Sequence, residues 1–430
     1  MRRCANAFAS HSCTSASGLS FGGPRATVVN SFLSFQLLKR LSPLVSFAAL
    51  SASYFSHIGF FNPYLSLWLK DQGMTLWVIG LMGSMQSLSR IIAPYLWGWL
   101  SDHTGQRVLL LRASAALALV GSFGLSTHEL PWLLCMLFFM FLNTSGMMPM
   151  TEAALAHWVS AGGVFDTRKY GRVRLFGSLG FLLTVCFAGA WFERHGMGDF
   201  PVWTTLTLLA VNLSVWALPN VRESTHVHGH QTSVIKELLK PHNAWFFATM
   251  FFHVLSHMCI YFYLSLYLDH LGYSKTMIGV LWGMGVLVEI GAFYTQSRWL
   301  HRFSLSQWLM ISCAAMVLRM GLTSFGSQWL MLLFLAQALH GVTFAVQHTV
   351  SVSWLSTYFP GRLRGRGQAL YSIVGYGVSG VIGSVAGAWL SDLYGLQSLF
   401  TISLGLAFIG FACASALNLF VKKRDNLLSV

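Results

Sequence analysis

The feature that most constrains this chain is a series of apolar runs, each long enough to cross a lipid bilayer. A spanning helix needs about 20 apolar residues to cross about 30 Å of hydrocarbon. Backbone N–H and C=O groups in lipid must pair within their own segment, so each run is predicted to be a helix. We therefore predict an all-α membrane protein with twelve transmembrane helices in two six-helix halves. The runs are 43–69, 75–100, 108–126, 131–158, 173–192 and 200–219, then 243–268, 276–297, 307–326, 328–358, 368–391 and 396–421.

Composition supports a membrane protein over a soluble one. Hydrophobic residues make up 55% of the chain and charged residues 9%, whereas soluble domains carry roughly 25% charged residues. The formal net charge of +14 would suit nucleic acid if it lay on one face of a soluble domain. Lys and Arg instead cluster in alternate gaps between the runs. That placement indicates a lipid bilayer as the partner and excludes nucleic acid.

The distribution of Lys and Arg predicts the orientation in the membrane. With the N-terminus in the cytoplasm, 22 of the 27 Lys and Arg residues lie in cytoplasmic segments, and Lys70, Arg194 and Lys275 lie in the opposite ones. Positive charge is enriched on the cytoplasmic side of membrane proteins. We therefore expect a multi-pass protein of the bacterial inner membrane with both termini in the cytoplasm.

Five regions follow from the runs. We predict a disordered cytoplasmic tail at 1–42, a six-helix bundle at 43–220, a cytoplasmic linker at 221–242, a second bundle at 243–421 and a cytoplasmic tail at 422–430. The first 40 residues are Ser-rich and free of acid, and they lack the apolar core of a secretory signal peptide. An organelle transit peptide and a start site assigned too early are alternatives for that segment.

The two halves repeat each other in sequence. A shift of 199 residues places 64–80 over 263–279, with eight of 17 positions identical. Many secondary carriers consist of one duplicated fold with the substrate between the repeats. The repeat therefore predicts pseudo-symmetric halves and a transporter with a site at their interface.

The segment Gly98–Arg107, GWLSDHTGQR, follows the second run. Its spacing resembles the G-x-x-x-D-x-x-G-x-R core of the loop between helices 2 and 3 of major facilitator carriers. Gly98 and Gly105 would permit close backbone approach and a tight turn. Asp102 would suit a helix N-terminus, where the dipole favours an anion, and Arg107 could pair with an acid or a lipid headgroup. An ordinary cytoplasmic turn is the alternative.

Four ionisable residues fall inside the predicted spans: Arg90, Glu152, Glu289 and Arg319. A charge at the centre of a spanning helix costs about 2.5–3.5 kcal/mol on insertion scales, so such a residue usually faces a cavity or a partner. A carboxylate in an apolar wall can take up a proton near neutral pH, which makes Glu289 the first candidate for proton coupling and Glu152 the second. Arg319 and Arg90 are candidates to hold an anionic substrate group, because a guanidinium matches a carboxylate. Structural ion pairs between helices are the alternative.

Histidines and aromatic residues supply further candidates. His340 and His348 share the span next in sequence to Arg319, and histidine titrates near neutrality, so both are candidates for proton coupling. His57, His257 and Tyr261 are candidate substrate contacts, with hydrogen-bonded packing as the alternative. No third ligand is placed near His257 and its neighbour four residues earlier, and no two cysteines form a CxxC pair, so we expect no metal and no cofactor.

Several stretches resemble the phenylpropionate permease family of major facilitator proton symporters, over about residues 44–420. They are PMTEAALAHW (149–158), YGRVRLFGSLGF (170–181), GYSKTMIGVLWGMGVLVEI (272–290), LRMGLTS (318–324) and ALHGVTFAVQHTVSVSWL (338–355). The resemblance implies a carrier of the major facilitator fold that imports an aromatic monocarboxylate such as 3-phenylpropionate together with protons. Carriers of this fold often work as monomers. The functional residues that it implies are Arg90, Glu152, Arg174, Glu289, Arg319, His340 and His348.

The lactose permease group is a cousin of that family and also carries an acid, an Arg and a His on corresponding helices. Glu152, Arg174, Glu289, Arg319 and His340 are similar to its set. That group has an acid three residues after its helix 10 histidine, where this chain has a threonine. The difference argues against sugar–proton coupling of the lactose type.

Three functions remain open from the sequence. The first is a proton-coupled symporter of a small organic substrate, with Arg174 among the substrate-binding candidates. The second keeps the fold and changes the cargo or the direction: sugar or nucleoside uptake, or efflux. The third is a non-transporting membrane sensor or a membrane enzyme. No nucleophile–base or metal pattern in the sequence supports an enzyme.

Overall fold

The structure, a computed structural model, describes residues 43–127, 129–159, 166–219, 234–359 and 363–428. Those ranges contain twelve long helices and no strand. Two of the helices each contain a π-helical turn, one at Gly341–Val346 and the other at Ser372–Val378. The helices are α1 Pro43–Asp71, α2 Leu76–Thr104, α3 Arg107–Phe123, α4 Leu130–Val159, α5 Thr167–His195, α6 Phe200–Trp216, α7 Pro241–His270, α8 Lys275–Trp299, α9 Leu305–Phe325, α10 Leu330–Ala338 continued by Gln347–Tyr358, α11 Leu363–Tyr371 continued by Ser379–Tyr394, and α12 Leu396–Leu428.

The predicted spans are confirmed, one helix to each run. Among the described residues, eleven helices are long and apolar enough to cross a membrane, and the twelfth, α6, is a shorter apolar helix of 17 residues. At 1.5 Å per residue, α6 rises about 25 Å. Helix α5 begins at Thr167, ahead of the predicted run, and α12 continues through Lys422 and Lys423. A helix can extend beyond its apolar run because helical hydrogen bonds do not depend on apolar side chains.

Two predicted regions fall outside this description. The predicted tail at 1–42 lies outside the described residues, as does most of the predicted linker at 221–242. The described end of that linker contains a short helix, Val234–Leu238, before α7 begins at Pro241.

The helices form two groups of six that correspond to the two halves of the sequence. In the first half, α1 packs on α5 and α6, and α4 packs on α2 and α3. In the second half, α7 packs on α11 and α12, and α9 packs on α10 and α12. The halves meet where α5 packs on α8, α2 on α11 and α1 on α7. The protein therefore has the predicted architecture of two six-helix halves with an interface between them.

Two hydrogen bonds at equivalent positions demonstrate the pseudo-symmetry. Tyr64 donates its phenol to the carbonyl of Val185 at 2.9 Å, and Tyr263 donates to the carbonyl of Ser384. Donor and acceptor are 121 residues apart in both cases, and the second bond is the first one shifted by the 199 residues of the repeat. Both bonds lie toward the end of the molecule that holds Asp269, which we call the Asp269 end. The opposite end, where α2 passes into α3, is the Arg107 end.

Glycines allow the two halves to approach closely at the Asp269 end. A Cβ atom at Gly279 would lie 2.5 Å from Tyr64 Oη and 2.6 Å from the carbonyl oxygen of Val185. At the equivalent position in the other half, a Cβ atom at Gly80 would lie 2.6 Å from the carbonyl oxygen of Ser384. A side chain at either position would force the backbones apart. The halves are thus closed against each other at this end.

The segment Gly98–Arg107 forms the end of α2 and the turn into α3. Gly105 has φ of +63° and its N–H bonds to the carbonyl of Ser101, which confirms the predicted tight turn. Arg107 donates to Ser101 Oγ at 3.1 Å. The expected close approach at Gly98 is wrong for the described structure, since no described atom lies within 4 Å of a Cβ there. Asp102 belongs to the last turn of α2, rather than to a helix N-terminus as we expected.

Candidate functional site

A cavity of about 330 Å³ lies between the two halves. Its volume falls in the range of roughly 300–1,000 Å³ that is usual for small-molecule sites. Three arginines and one glutamate line it, together with amide and aromatic side chains from both halves. The polar and aromatic residues of its wall are Phe55, Asn62, Ser66, Gln86, Arg90, Arg174, Ser178, Phe181, Tyr261, Phe262, Trp282, Glu289, Arg319, Gln337, His340, Phe344 and Tyr376.

Equivalent positions of the repeat face each other across this cavity. Each half contributes one position from its first helix and two from its second, so the pseudo-twofold axis passes through the site. In the first half these positions hold two amides and one cation. In the second half they hold an aromatic residue, a glycine and an anion. The equivalent pairs are Asn62 with Tyr261, Gln86 with Gly285, and Arg90 with Glu289.

Glu289 lies beside His340 in the second half. Glu289 Oε2 is 3.6 Å from His340 Nε2, and both side chains are largely buried. Gly285 lies next to His340: a Cβ there would be in van der Waals contact with His340 Cδ2, at 3.5 Å. Glu289 and His340, two of the predicted proton-coupling residues, therefore meet at the cavity wall.

Arg319 connects His340 to a set of neutral partners. Its side chain is 1% exposed, and its Nη1 group contacts His257 Nε2 at 3.1 Å, His340 Nδ1 at 3.0 Å and Thr343 Oγ1 at 3.0 Å. Its Nη2 group donates to Gln337 Oε1 at 3.0 Å. A guanidinium only donates hydrogen bonds, so the contacted nitrogen of each imidazole accepts. The remaining hydrogen of neutral His340 is then on Nε2, the atom that faces Glu289.

Arg90, unlike Arg319, is not surrounded by hydrogen-bond partners. Among the described residues, no hydrogen bond or ion pair engages its guanidinium, and the side chain lines the cavity. The phenol groups of Tyr54, Tyr261 and Tyr376 are its electrostatic neighbours. Arg90 is therefore a cavity-facing cation that is available to an anionic ligand.

Arg174 and Glu152 meet nearer the Arg107 end. Arg174 Nε is 3.7 Å from Glu152 Oε1, and the two side chains are 38% and 42% exposed. The guanidinium also lies over the ring of Phe55, 4.2 Å from its centroid, and Glu152 is hydrogen-bonded to Tyr170. Arg174 lines the cavity, whereas Glu152 lies behind it. The cavity therefore reaches a solvent-exposed ion pair on the side of the Arg107 end.

Four of the predicted proton-coupling and substrate-binding residues do not line the cavity: Glu152, His257, His57 and His348. Glu152 and His257 contact the lining residues Arg174 and Arg319. His57 Nδ1 is 3.0 Å from Thr207 Oγ1 and the side chain is 2% exposed, between α1 and α6. His348 Nδ1 is 3.2 Å from Tyr371 Oη, whose phenol is 3.5 Å from that of Tyr376. His348 thus lies behind the wall, next to the lining residue Phe344 and connected to Tyr376 through Tyr371. His57 belongs to the interior of the first half.

The prediction from sequence missed six polar residues of the wall: the amides Asn62, Gln86 and Gln337, and the hydroxyl residues Ser66, Ser178 and Tyr376. Gln86 Nε2 donates to Asn62 Oδ1 at 3.0 Å, and Gln337 accepts from Arg319. The sequence contained a signal for two of the amides. Asn62 lies at the position of the repeat equivalent to Tyr261, and Gln86 lies four residues before Arg90 and so shares its helix face. Amides are common in membrane helices, so residue type alone does not select them.

The arrangement suits a small anion with an apolar body. The wall carries three positive groups and one carboxylate, and a carboxylate ligand can form paired hydrogen bonds with a guanidinium. The rings of Phe55, Tyr261 and Trp282 offer stacking surfaces. No group of three or more His, Cys, Asp or Glu residues within the described ranges could hold a metal ion.

Comparisons with known proteins agree with this architecture. A family model described as MFS_1 like family matches residues 46–402. The chain is 26% identical over 347 residues to "Probable 3-phenylpropionic acid transporter" of Escherichia coli (strain K12), covering 80% of this chain and 90% of that protein. It is 24% identical over 382 residues to "Maltose permease" of Geobacillus stearothermophilus, covering 85% and 90%.

The fold is also that of solved transporters. A crystal structure of a mutant of the nucleoside transporter NupG superposes with a TM-score of 0.74 at 14% identity, covering 87% of this chain and all of that one. At that identity the likeness concerns the fold alone. The relatives and this neighbour are transporters, not enzymes, and the protein is a multi-pass membrane transporter of a small molecule.

Proposed function

The chain belongs to the MFS_1 like family of transporters, and on that premise we propose that it is a proton-coupled symporter that imports an aromatic monocarboxylate such as 3-phenylpropionate. The observation that carries the proposal is the contrast between Arg90 and Glu289. These two residues occupy equivalent positions of the repeat and face one cavity, one as an unpaired cation and the other as the carboxylate beside His340. The E. coli relative named as a 3-phenylpropionic acid transporter supports this choice of substrate class.

The charges of the wall give a physical basis for coupling. With Glu289 ionised, its negative charge lies beside His340 and offsets part of the positive charge of Arg319. When Glu289 takes up a proton, that compensation is lost and the cavity becomes more positive by one charge. A substrate carboxylate then binds more tightly, and by linkage the bound substrate favours protonated Glu289. Proton and anion therefore enter and leave together.

The two ions need separate groups, and the wall provides them. The substrate carboxylate binds Arg90, which has no partner among the described residues, while the proton resides on Glu289 with His340 as its neighbour. Arg174 contributes a second positive charge nearer the Arg107 end. Arg319 acts through His340, since neutral acceptors surround its guanidinium.

Orientation follows from the basic residues. Among the described residues, the Arg107 end carries most of the Lys and Arg side chains, so we assign it to the cytoplasmic side of a bacterial inner membrane, the side on which the sequence predicts both termini. The halves are closed at the Asp269 end, so the described state faces inward. Alternating access requires the Asp269 end to open as the other closes. We further propose that one chain suffices, because the cavity lies within it.

The experiment is uptake of radiolabelled 3-phenylpropionate into proteoliposomes, with and without an acidic exterior. Wild type should accumulate substrate only with the gradient, and Glu289→Gln should lose gradient-driven accumulation by more than about tenfold while still exchanging substrate across the membrane. Glu152→Gln tests the second candidate, and Glu129→Gln, an exposed acid remote from the cavity, is the matched control. Uptake by folded wild type that does not respond to the gradient would refute proton coupling.

A sugar substrate is the second candidate, favoured by the maltose permease among the relatives. The three arginines of the wall favour an anion over an uncharged sugar. Competition by maltose, a nucleoside and phenylpropionate in the same vesicles separates the candidates. Competition by maltose alone would replace the aromatic acid as substrate and leave the transporter fold unaffected.

A further inference from the structure

The amide pair formed by Asn62 and Gln86 has no role in the mechanism described above. Gln86 Nε2 donates to Asn62 Oδ1 at 3.0 Å, which joins α1 to α2 at the cavity wall. Among the described residues, the other two amide atoms, Asn62 Nδ2 and Gln86 Oε1, make no hydrogen bond. Neither atom is fully buried, so both are accessible from the cavity that the two residues line.

The free atoms are one donor and one acceptor. Asn62 Nδ2 can donate two hydrogens, and Gln86 Oε1 can accept two. If both side-chain amides rotated by 180°, their oxygen and nitrogen atoms would exchange places. One free donor and one free acceptor would still face the cavity. A hydroxyl group is the small substituent that both donates and accepts, so it complements the pair in either arrangement.

The pair lies at a fixed spacing from Arg90. Gln86 and Arg90 are four residues apart on α2 and share one face of the helix, with their Cα atoms roughly 6 Å apart along the axis. Arg90 is nearer the Arg107 end, and Gln86 is nearer the Asp269 end. A ligand whose carboxylate is held by Arg90 therefore extends its apolar body past the amide pair.

The second half offers no such pair. The positions equivalent to Asn62 and Gln86 are Tyr261 and Gly285, and Gly285 leaves its space to His340 and Gln337. The equivalent positions of the second half therefore provide no amide pair, and the polar groups of that half on the wall stand at other positions or are phenols, such as those of Tyr261 and Tyr376.

We propose that the Asn62–Gln86 pair is a specificity subsite that binds a hydroxyl group on the ring of the substrate, so that the preferred cargo is a hydroxylated aromatic monocarboxylate. This inference rests on the proposed function, because it takes the carboxylate at Arg90 as given. An unsubstituted phenyl ring in the same position would remove water from both amide atoms and leave them unpaired, which is costly in a desolvated site. A ring hydroxyl replaces that water with two direct hydrogen bonds.

The test compares 3-phenylpropionate with its 2-, 3- and 4-hydroxyphenyl analogues. Competition for uptake into proteoliposomes and thermal shift of the purified protein are both measured, since the thermal shift reports binding without transport. In wild type, at least one hydroxylated analogue should bind more tightly than the parent acid, by a factor on the order of ten to a hundred. Gln86→Leu and Asn62→Leu should each bring that ratio to within about twofold.

Ser178→Ala is the matched control, because Ser178 also lines the cavity and also carries a hydrogen-bonding group, but on α5. It should leave the ratio unchanged. Wild type that binds the parent acid as tightly as every hydroxylated analogue would overturn the subsite and leave the proposed function standing. A ratio that survives both leucine variants would also overturn it. Protein that neither binds nor moves any aromatic acid would overturn the proposed function and this inference together.

Discussion

Lys70 Nζ lies 2.9 Å from Asp269 Oδ2, and the two residues occupy equivalent positions of the repeat, 199 residues apart. A residue can contact its own equivalent only close to the pseudo-twofold axis. The pair therefore marks the point at which that axis leaves the molecule at the Asp269 end. Lys275 Nζ joins the pair at 3.8 Å from Asp269 Oδ1, and the backbone N–H of Lys275 donates to Glu193 Oε2 at 2.6 Å. Charged contacts between the halves thus cluster at the closed end.

The first prediction concerns this ion pair. Asp269→Asn should favour opening of the Asp269 end by about two- to fivefold, because a partly exposed ion pair contributes roughly 0.2–1 kcal/mol. The measurement is the rate of labelling of a cysteine introduced beside the cavity by a membrane-impermeant reagent. Lys70→Asp combined with Asp269→Lys should restore most of the wild-type rate. An unchanged rate in Asp269→Asn would show that the pair does not hold the end closed.

The second prediction concerns the glycines that bring the halves together. Gly279→Ala should disfavour the closed Asp269 end more strongly than loss of the ion pair does, because its methyl group would meet Tyr64 Oη and the Val185 carbonyl at 2.5 and 2.6 Å. Gly80→Ala should act in the same way through the carbonyl of Ser384. The same labelling assay reports the effect.

Gly291→Ala on α8 is the matched control for the glycine variants. No described atom lies within 4 Å of a Cβ at that position, so the change should leave labelling unaltered. In an exposed helix it should stabilise the fold by about 0.5–1 kcal/mol, since alanine loses less backbone entropy than glycine. Equal labelling of the Gly279, Gly80 and Gly291 variants would contradict close packing as the cause of closure.

The fold could be predicted almost entirely from the sequence, because lipid leaves the chain few alternatives. Every apolar run became a helix, and the 199-residue shift relates Arg90 to Glu289, which both line the cavity. The π-helical turns at Gly341–Val346 and Ser372–Val378 could not be predicted. One extra residue within a turn does not alter the length or the apolar character of a run, so neither property reveals it.

The candidate site was predictable only in part, because residue type does not fix the direction of a side chain. His57 was chosen for its chemistry, but it faces Thr207 inside the first half. Asn62, five residues later on α1, is one of the side chains that line the cavity. The threonine that separates this chain from the lactose permease group, Thr343, accepts a hydrogen bond from Arg319. The sequence revealed that substitution but not its contact.

The third prediction separates the roles of Arg90 and Arg319 through substrate affinity. Arg90→Gln should weaken binding of the aromatic acid by about ten- to a hundredfold, since a charge-assisted hydrogen bond contributes about 1.5–3 kcal/mol. Arg90→Lys should recover part of that loss, because lysine keeps the charge but not the planar fork. Isothermal titration with 3-phenylpropionate and its uncharged amide is the measurement. The amide should bind wild type and Arg90→Gln equally, and equal losses for both ligands would place the carboxylate elsewhere.

The fourth prediction concerns the stability of the protein, for which Arg319 should matter more than Arg90. Arg90 has no partner among the described residues, so Arg90→Gln should leave the thermal midpoint of the purified protein within about 1 °C, whereas Arg319→Gln should lower the free energy of unfolding by about 1.5–3 kcal/mol. The reason is that Arg319 supplies donors to His257, His340 and Gln337 in a fully buried position. Arg298→Gln, at an exposed arginine on α8, is the control and should change stability by less than about 0.5 kcal/mol.

Because Arg319 fixes the tautomer of His340, Arg319→Gln should also impair gradient-driven uptake more than substrate exchange. A stable Arg319→Gln protein that loses substrate affinity instead would make Arg319 the direct ligand of the carboxylate.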